Sequence, residues 1–255
     1  MIPAGGLAGK SGDWYDGTIP EKRGMDDMKK TRLLWLAAVL LLGLSLLTCP
    51  AFAEPSATEL PVSDPDDLEF YQAEEGGWII TGYAGDAPHL QIPARMMGMP
   101  VLSIDDQAFF FHSNLVKVTL PARLDAVGNS AFMACSNLEE VIMPEKLNVI
   151  SSYAFSKCRK LKSIRLPEGL EWISESAFAY CDSLEQIVLP EGLNRLGRYA
   201  FAHCPALRSV TLPASLTMLE NDIFFESPLV TLTVIPGSEG EAYAIRNGLP
   251  FRHAQ

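Results

Sequence analysis

An alanine–phenylalanine pair recurs along this chain at a fixed step of 23 residues, and no other feature limits the fold as strongly. Prolines and cysteines repeat with the same step. The phenylalanines are Phe109, Phe132, Phe155, Phe178, Phe201 and Phe224, the last of which follows isoleucine, and the cysteines are Cys135, Cys158, Cys181 and Cys204. A strict period between about 20 and 50 residues predicts a stacked-repeat protein and argues against an enzyme with one central core.

Each repeat begins with the signal of a short strand. In units counted from Leu115, Leu138, Leu161 and Leu184, positions 4 and 6 are apolar and alternate with mostly polar neighbours, as in a strand with one buried face. The proline at position 7 ends this strand because it has no N–H for the ladder. Positions 8 to 23 carry no clean helical pattern, so turns and single-turn helical pieces are expected there. Stacked coils would bury each other's apolar sides, with the phenylalanine column at the centre.

The spacing L-x-x-V-x-L-P…L-x-x-I-x-x-x-A-F-x-x-C resembles the BspA-like, or Treponema-type, leucine-rich repeat family of bacterial surface and secreted proteins. Four units match it almost completely. The preceding unit, residues 90–114, is longer and has His112 in the cysteine slot, while the unit from Leu207 has Ser227 there. Atypical end units of this kind are expected for capping repeats.

The resemblance also implies a cap at each end of the array. Residues 70–83 are similar to an N-terminal hairpin, with Gly76-Gly77 as its turn. Residues 237–251 are similar to a C-terminal helix and strand, with Ser238 as the helix N-cap. The expected fold is a leucine-rich-repeat-like solenoid with one short parallel strand per 23-residue coil, an irregular or short-helical convex side, and both caps.

The N-terminal segment carries the features of an export signal. Residues 28–32 are basic, residues 33–47 are apolar, and Ala51-Phe52-Ala53 ends the stretch, which predicts a signal peptide over residues 28–53. A retained anchor and a lipoprotein built on Cys49 are the alternatives. We expect residues 1–27 to be a non-native upstream or disordered segment, residues 54–67 a flexible spacer, and residues 68–255 the capped solenoid.

The charge balance narrows the choice of partners. The chain has a net charge of −11, and residues 54–255 alone carry 14 basic and 26 acidic side chains, a difference of −12. A surface this acidic argues against nucleic acid and against anionic membranes. We expect an extracellular or surface-associated monomer, without a membrane span after signal cleavage, whose partner is a protein or a glycan.

Residues that could carry chemistry are few and scattered. No histidine belongs to a nucleophile or zinc motif, and the sequence has no phosphate loop or dinucleotide fingerprint. The periodic cysteines could form disulfides in an exported chain, but one inward cysteine per coil favours free buried thiols over disulfides or a metal site. Glu145, Glu168 and Glu191 form a ladder that is either a solvated stripe or a weak cation site. We expect no enzyme activity, no catalytic residue, no metal and no cofactor.

Two surfaces remain as candidates for binding. Positions 3 and 5 of each unit should face solvent on the concave side, and we call these ten residues the concave strip: Lys117, Thr119, Glu140, Ile142, Ser163, Arg165, Gln186, Val188, Ser209 and Thr211. Solenoids bind partners on such extended surfaces. An aromatic set is either a second contact surface or half-buried packing: Phe110, Phe111, Tyr153, Trp172, Tyr180, Tyr199 and Phe225. The predicted function is a non-catalytic binding or adhesion module, and the alternative is a structural or self-associating cell-envelope component.

Overall fold

The computed structural model describes residues 64–74 and 76–255. The predicted upstream segment, the predicted signal peptide and the predicted spacer up to residue 63 lie outside the described residues. A short 3₁₀ helix over Pro65–Asp67 opens the described part. The elements that follow are β1 (Leu68–Gln72), β2 (Trp78–Tyr83), β3 (His89–Gln91), β4 (Arg95–Met96), β5 (Met99–Ile104), β6 (Lys117–Thr119), β7 (Ala126–Val127), β8 (Glu140–Ile142), β9 (Val149–Ile150), β10 (Trp172–Ile173), β11 (Gln186–Val188), β12 (Arg195–Leu196), β13 (Ser209–Thr211), β14 (Met218–Leu219), β15 (Thr231–Val234), α1 (Glu239–Arg246) and β16 (Phe251–His253).

The strand predicted at the start of each coil is present in most coils and pairs in parallel with the next. We call this row the concave ladder. It consists of two sheets, one with the order β3-β6-β8 and one with the order β11-β13-β15-β16. The register steps by whole repeats, so that Lys117 lies opposite Glu140 and Gln186 lies opposite Ser209. The solenoid expected from the 23-residue period is therefore confirmed.

Each coil also carries a second strand that the sequence did not lead us to expect. It is two residues long, at positions 12 and 13, and β7, β9, β10, β12 and β14 form one continuous parallel row that we call the second ladder. This row joins β5 and, through it, the N-terminal hairpin. Two residues are too few to show a period of two, so the pattern could not reveal this strand.

Turns rather than helices occupy positions 16 to 21 of each coil, and we call their succession the turn stack. Two residues per coil, at positions 16 and 20, have positive φ angles, for example Tyr153 at 60° and Lys157 at 62°. The N–H groups of these two residues and of position 18 between them donate to carbonyls of the following coil. For example, Phe155 N donates to Ala177 O at 2.8 Å. These bonds between coils offset the strain of the left-handed residues, which is on the order of 1–2 kcal/mol each.

The predicted phenylalanine column is confirmed as the centre of the core. Its first five rings are fully buried, and Phe224 at the C-terminal end is 6% exposed. Neighbouring rings are stacked, with centroid distances of 4.8, 5.4, 5.5, 5.4 and 5.9 Å along the column. A single apolar cluster extends from Leu68 to Ala244 around it. Each ring therefore has a like partner in the next coil, and the coils hold one another in register.

Both predicted caps are present, and each contributes a tyrosine to an end of the column. β1 and β2 form the antiparallel N-terminal hairpin, and Tyr83 lies 6.4 Å from Phe109 between ring centroids. At the other end, α1 places Tyr243 at 6.3 Å from Phe224. Ser238 is the N-cap of α1 as expected, its Oγ accepting from the backbone N–H of Glu241. The caps replace the neighbouring coil that the first and last repeats lack.

Candidate binding surfaces

All ten residues of the concave strip lie on the solvent side of their coils. Behind them, position 4 is buried in every coil, as at Val118 and Ile187. Two of the ten are exposed apolar residues, Ile142 with 41% and Val188 with 66% of its surface accessible. The structure thus brings the strip onto one face, as the period of two requires.

The concave ladder is interrupted in one coil. Within the described part of the chain, residues 163–165 form no strand, and β8 and β11 pair only with their outer neighbours, β6 and β13. Ser163 and Arg165 were expected in a strand, so the sequence prediction is wrong for this coil. Of the five coils that begin at Leu115 to Leu207, four have a β-branched residue at position 5, which is Thr119, Ile142, Val188 or Thr211. The Leu161 coil has Arg165 there, a poorer strand former.

A groove opens at this interruption, and we call the boundary between β8 and residues 163–165 the seam. The groove has a volume of about 420 Å³ and is lined by Glu140, Val141, Ile142, Met143, Glu145, Ser163, Ile164, Arg165 and Pro167. Glu140 is already paired, since its Oε2 lies 2.9 Å from Nζ of Lys117. Within residues 64–74 and 76–255, neither Arg165 nor Glu145 forms an ion pair. The seam therefore holds one cation and one anion that face water.

Arginine side chains cover two rings of the aromatic set. The guanidinium of Arg195 covers the ring of Trp172 in β10 at 4.3 Å, and that of Arg198 covers the ring of Tyr199 in the turn stack at 4.5 Å. Arg195 also bonds Glu220 at 3.0 Å. The ring faces that would stack on a sugar or a partner side chain are thus occupied from within the protein.

The remaining aromatic residues line the outer edge of the turn stack. Tyr180 stacks on His203 with centroids 4.2 Å apart, and Phe225 meets His203 edge-on at 5.6 Å. Phe110 and Phe111 pack edge to face at 4.4 Å near the N-terminal end. Mutual packing therefore accounts for part of this set, while four of its side chains remain exposed: Phe111, Tyr153, Tyr180 and Phe225.

The cysteine column is buried and its four thiols are free, as predicted. Each Sγ lies within hydrogen-bond reach of a phenylalanine carbonyl in the preceding coil, at 3.1 to 3.4 Å. Burial raises the pKa of Cys135 and Cys204 to about 12 and raises the pKa of Cys158 and Cys181 well above the ordinary value. Thiols held in the neutral form are poor nucleophiles.

The residues that replace cysteine at the two ends also contact backbone carbonyls, and Ser227 makes the same contact as the cysteines. Ser227 Oγ donates to Phe201 O at 2.8 Å and accepts from Cys204 N at 3.0 Å. His112 lies beside the N-terminal cap, with Nε2 2.7 Å from Tyr83 O. The slot therefore serves to satisfy buried backbone groups, which the sequence showed only as a column of similar small residues.

The described residues hold no group of three or more histidine, cysteine or acidic side chains that could bind a metal ion. Glu145, Glu168 and Glu191 are exposed, and Glu191 accepts a backbone hydrogen bond from Ala214 N at 3.2 Å. Among the same residues, no helix has the length and apolar character needed to cross a membrane.

Stacked 23-residue coils, a phenylalanine column and a free strand face define the class of leucine-rich repeat solenoids. Six copies of the BspA type leucine rich repeat match residues 102–231, and the chain belongs to this family. No curated protein matches the chain.

Among solved structures, the chain is similar to the T. pallidum leucine rich repeat protein TpLRR, with 26% identity, a TM-score of 0.60, and coverage of 76% of this chain and 98% of that one. A leucine-rich repeat protein from Bacteroides ovatus shares 30% identity over 66% of this chain and 46% of its own, with a TM-score of 0.61. A leucine rich cell surface protein from Faecalibacterium prausnitzii shares the fold at 24% identity and a TM-score of 0.54, over 69% and 54% of the two chains. The chain thus spans nearly all of the first and about half of the other two.

Proposed function

We propose that this protein is a secreted or cell-surface binding module that contacts a protein or glycan partner through the concave strip, without catalysis. The observation that carries the proposal is the strip itself. Ten side chains from five coils face solvent on one side, and the buried residues behind them fix their spacing. Solenoid proteins use such surfaces for extended contacts.

Other observations support a binding role. The fold is a repeat module, and one structural neighbour is described as a cell surface protein. The thiols, which are the strongest nucleophiles in the described part, are buried and protonated. The strip spans about 20 Å at ordinary strand spacing, which suits a macromolecule better than a metabolite. The basic and apolar segment over residues 28–53 supports export.

The test is to reverse two cations of the strip and to measure partner binding. In a Lys117→Glu/Arg165→Glu double variant, we expect retention of partners from a cell-surface extract or a glycan panel to fall about tenfold or more, or about 1.4 kcal/mol. The melting curve should change little, because exposed charges contribute little to stability. Arg123→Glu/Lys146→Glu is the matched control, since these exposed cations lie outside the strip.

Equal loss of binding in the control would show that net charge, rather than the strip, determines retention. If the double variant retains its partner fully while Phe111→Ala or Phe225→Ala loses it, the binding surface lies on the outer edge of the turn stack instead. Either outcome would remove the concave strip from the proposal and leave the repeat fold unaffected.

One observation favours self-association as a second function. β16 is the end strand of its sheet, all three of its residues are exposed, and its outer edge is unpaired within the described part of the chain. Phe251 in this strand and Ile245 in α1 are exposed apolar residues. Unpaired edges of this kind can pair with another chain. Sedimentation at rising concentration distinguishes the two functions, because the binding module is expected to stay monomeric.

A further inference from the structure

The seam exposes backbone groups that neighbouring strands normally satisfy. In the coils on either side, concave strands exchange regular bonds, and Leu120 N, for example, donates to Ile142 O at 3.0 Å. Among the described residues, no backbone hydrogen bond joins residues 163–165 to β8, and only Glu185 N to Lys162 O, at 3.0 Å, links the coil to the next at this level. Unsatisfied N–H and C=O groups beside a groove are a template for another extended chain.

The groove reaches this backbone. Val141 and Ile164 belong to its lining although their side chains are buried, with 6% and 8% of their surfaces exposed. Because those side chains point inward, the groove meets both residues at the main chain. A ligand in the groove can therefore exchange hydrogen bonds with strand backbone and not only with side chains.

The rest of the coil limits how a ligand can enter. On the second ladder, Trp172 still pairs with Val149 and with Arg195. In the core, the Phe155 and Phe178 rings of the two coils at the seam are 5.5 Å apart. A full inserted strand would need about 9–10 Å between its neighbours. The ligand must therefore lie over the mouth of the seam on the concave side, with the coils unchanged elsewhere.

The charge around the seam selects the kind of ligand. Residues 157–165 contain five of the basic residues in an otherwise acidic protein, and Arg165 is the one that lines the groove. Arg159 is 3.7 Å from Asp182 and Lys157 lies over the Tyr180 ring, but the other three are exposed and form no ion pair in the described part: Lys160, Lys162 and Arg165. On the opposite wall, Lys117 pairs with Glu140, which leaves Glu145 as the acidic lining residue without an ion pair in the described part of the chain.

We propose that the seam between β8 and residues 163–165 docks an extended acidic segment of a partner polypeptide, whose backbone bonds the unpaired strand groups and whose carboxylate pairs with Arg165. This inference rests on the proposed binding function and names the partner class for the concave strip. A polypeptide is favoured over an anionic glycan because its N–H and C=O groups repeat at the spacing of the strand backbone, whereas sugar hydroxyls do not.

The first test uses charge at the seam. The probe is a labelled synthetic peptide of alternating glutamate and valine, blocked at both ends, titrated into the full chain. We expect Arg165→Glu to weaken binding about tenfold or more and Glu145→Lys to strengthen it, because the two residues act on the carboxylates with opposite sign. The matched control is Arg208→Glu, an exposed cation two coils away, which should have a much smaller effect. A peptide of alternating lysine and valine should not bind.

The second test addresses the backbone. Methylating the valine nitrogens of the probe removes donors without changing its charge, and we expect about a tenfold loss of affinity. Binding of the unmodified probe should also slow amide hydrogen exchange at residues 163–165, with little change at β13. A uronate oligosaccharide of similar charge serves as the glycan probe.

The outcomes separate this inference from the broader function. If Arg208→Glu weakens the peptide as much as Arg165→Glu does, only the general field acts and the seam is not the site. If the uronate binds with the same Arg165 dependence and methylation has no effect, the ligand class is an anionic glycan. Failure of the acidic peptide together with a partner that still depends on the strip would overturn this inference and leave the proposed function standing.

Discussion

The two sides of each coil are built differently, although the same 23-residue repeat produces both. The turn stack and the second ladder connect every pair of neighbouring coils between Leu115 and Leu219 without a break. The concave ladder stops at β8 and resumes at β11. The hydrogen-bonded rows are therefore continuous on the side that encloses the phenylalanine and cysteine columns. The row that is interrupted lies on the side that faces solvent.

The difference shows which positions the fold constrains. A buried column accepts few residue types, since a change of volume or polarity is felt by the coils on both sides. Position 5 faces water and accepts threonine, isoleucine, arginine and valine in successive coils. One of these, Arg165, coincides with the break. The concave side can therefore vary for binding while the turn stack maintains the array.

The largest expected effect is an alkaline loss of stability that arises from the cysteine column. Burial raises the pKa of all four thiols in the folded chain, to about 12 for Cys135 and Cys204, whereas unfolded thiols ionise near pH 8.5. The folded state keeps protons that the unfolded state releases, so stability is complete below about pH 8.5 and declines towards about pH 12. One pH unit above the unfolded value, Cys135 and Cys204 together lower the free energy of unfolding by about 3 kcal/mol, and Cys158 and Cys181 act in the same direction.

Denaturant melts between about pH 7.5 and 9.5 measure this decline. A Cys158→Ser/Cys181→Ser variant serves as the control, since serine occupies the same slot at Ser227 and does not ionise in this range. It should lose roughly half of the pH dependence. If the free energy of unfolding of the wild type did not change up to pH 9.5, the thiols would be accessible to hydroxide in the folded protein. That result would contradict a buried cysteine column.

The next effect is truncation of a central ring. Phe178→Ala removes a fully buried side chain whose neighbours on both sides are held by the turn stack, so the cavity cannot close by fraying. We expect a loss of about 3–5 kcal/mol in the free energy of unfolding. Phe225→Ala, two coils further and 46% exposed, should cost about 1 kcal/mol or less. Similar losses in the two variants would show that the core is not confined to the column.

Much of this architecture could be predicted from the repeat alone. The period gave the stacked coils, and the Ala-Phe and cysteine columns gave the buried interior, because identical residues at identical positions must face the same environment in every coil. The caps were visible through Gly76-Gly77 and Ser238, which have local turn and helix-capping roles. The orientation of the concave strip followed from the alternation around position 4.

Three features could not be predicted in the same way. The second ladder is two residues long in each coil, so its apolar column at position 13 looked like ordinary core. The left-handed residues at positions 16 and 20 include Tyr153, Lys157 and Tyr180. These residue types, unlike glycine, do not predict a positive φ angle. The seam occurs in one coil only among the five that begin at Leu115 to Leu207, so the average pattern of the repeats does not indicate it. Only the structure shows that the pairing fails beside Arg165.

The smallest effect has the opposite sign and bears directly on the comparison. Arg165→Thr restores a β-branched residue at position 5, as in the coils of Thr119 and Thr211. If the arginine causes the break, residues 163–165 should pair with β8, the free energy of unfolding should rise by about 0.5–1 kcal/mol, and the amides of this segment should exchange more slowly. Arg208→Thr, made on the same side of the array at position 2, should leave stability within about 0.5 kcal/mol of the wild type.

Unchanged exchange at residues 163–165 would place the cause of the break outside position 5. A closed seam that still binds the acidic peptide would show that the peptide does not need the unpaired backbone. Closure with loss of binding would instead tie the interruption of the concave ladder to recognition.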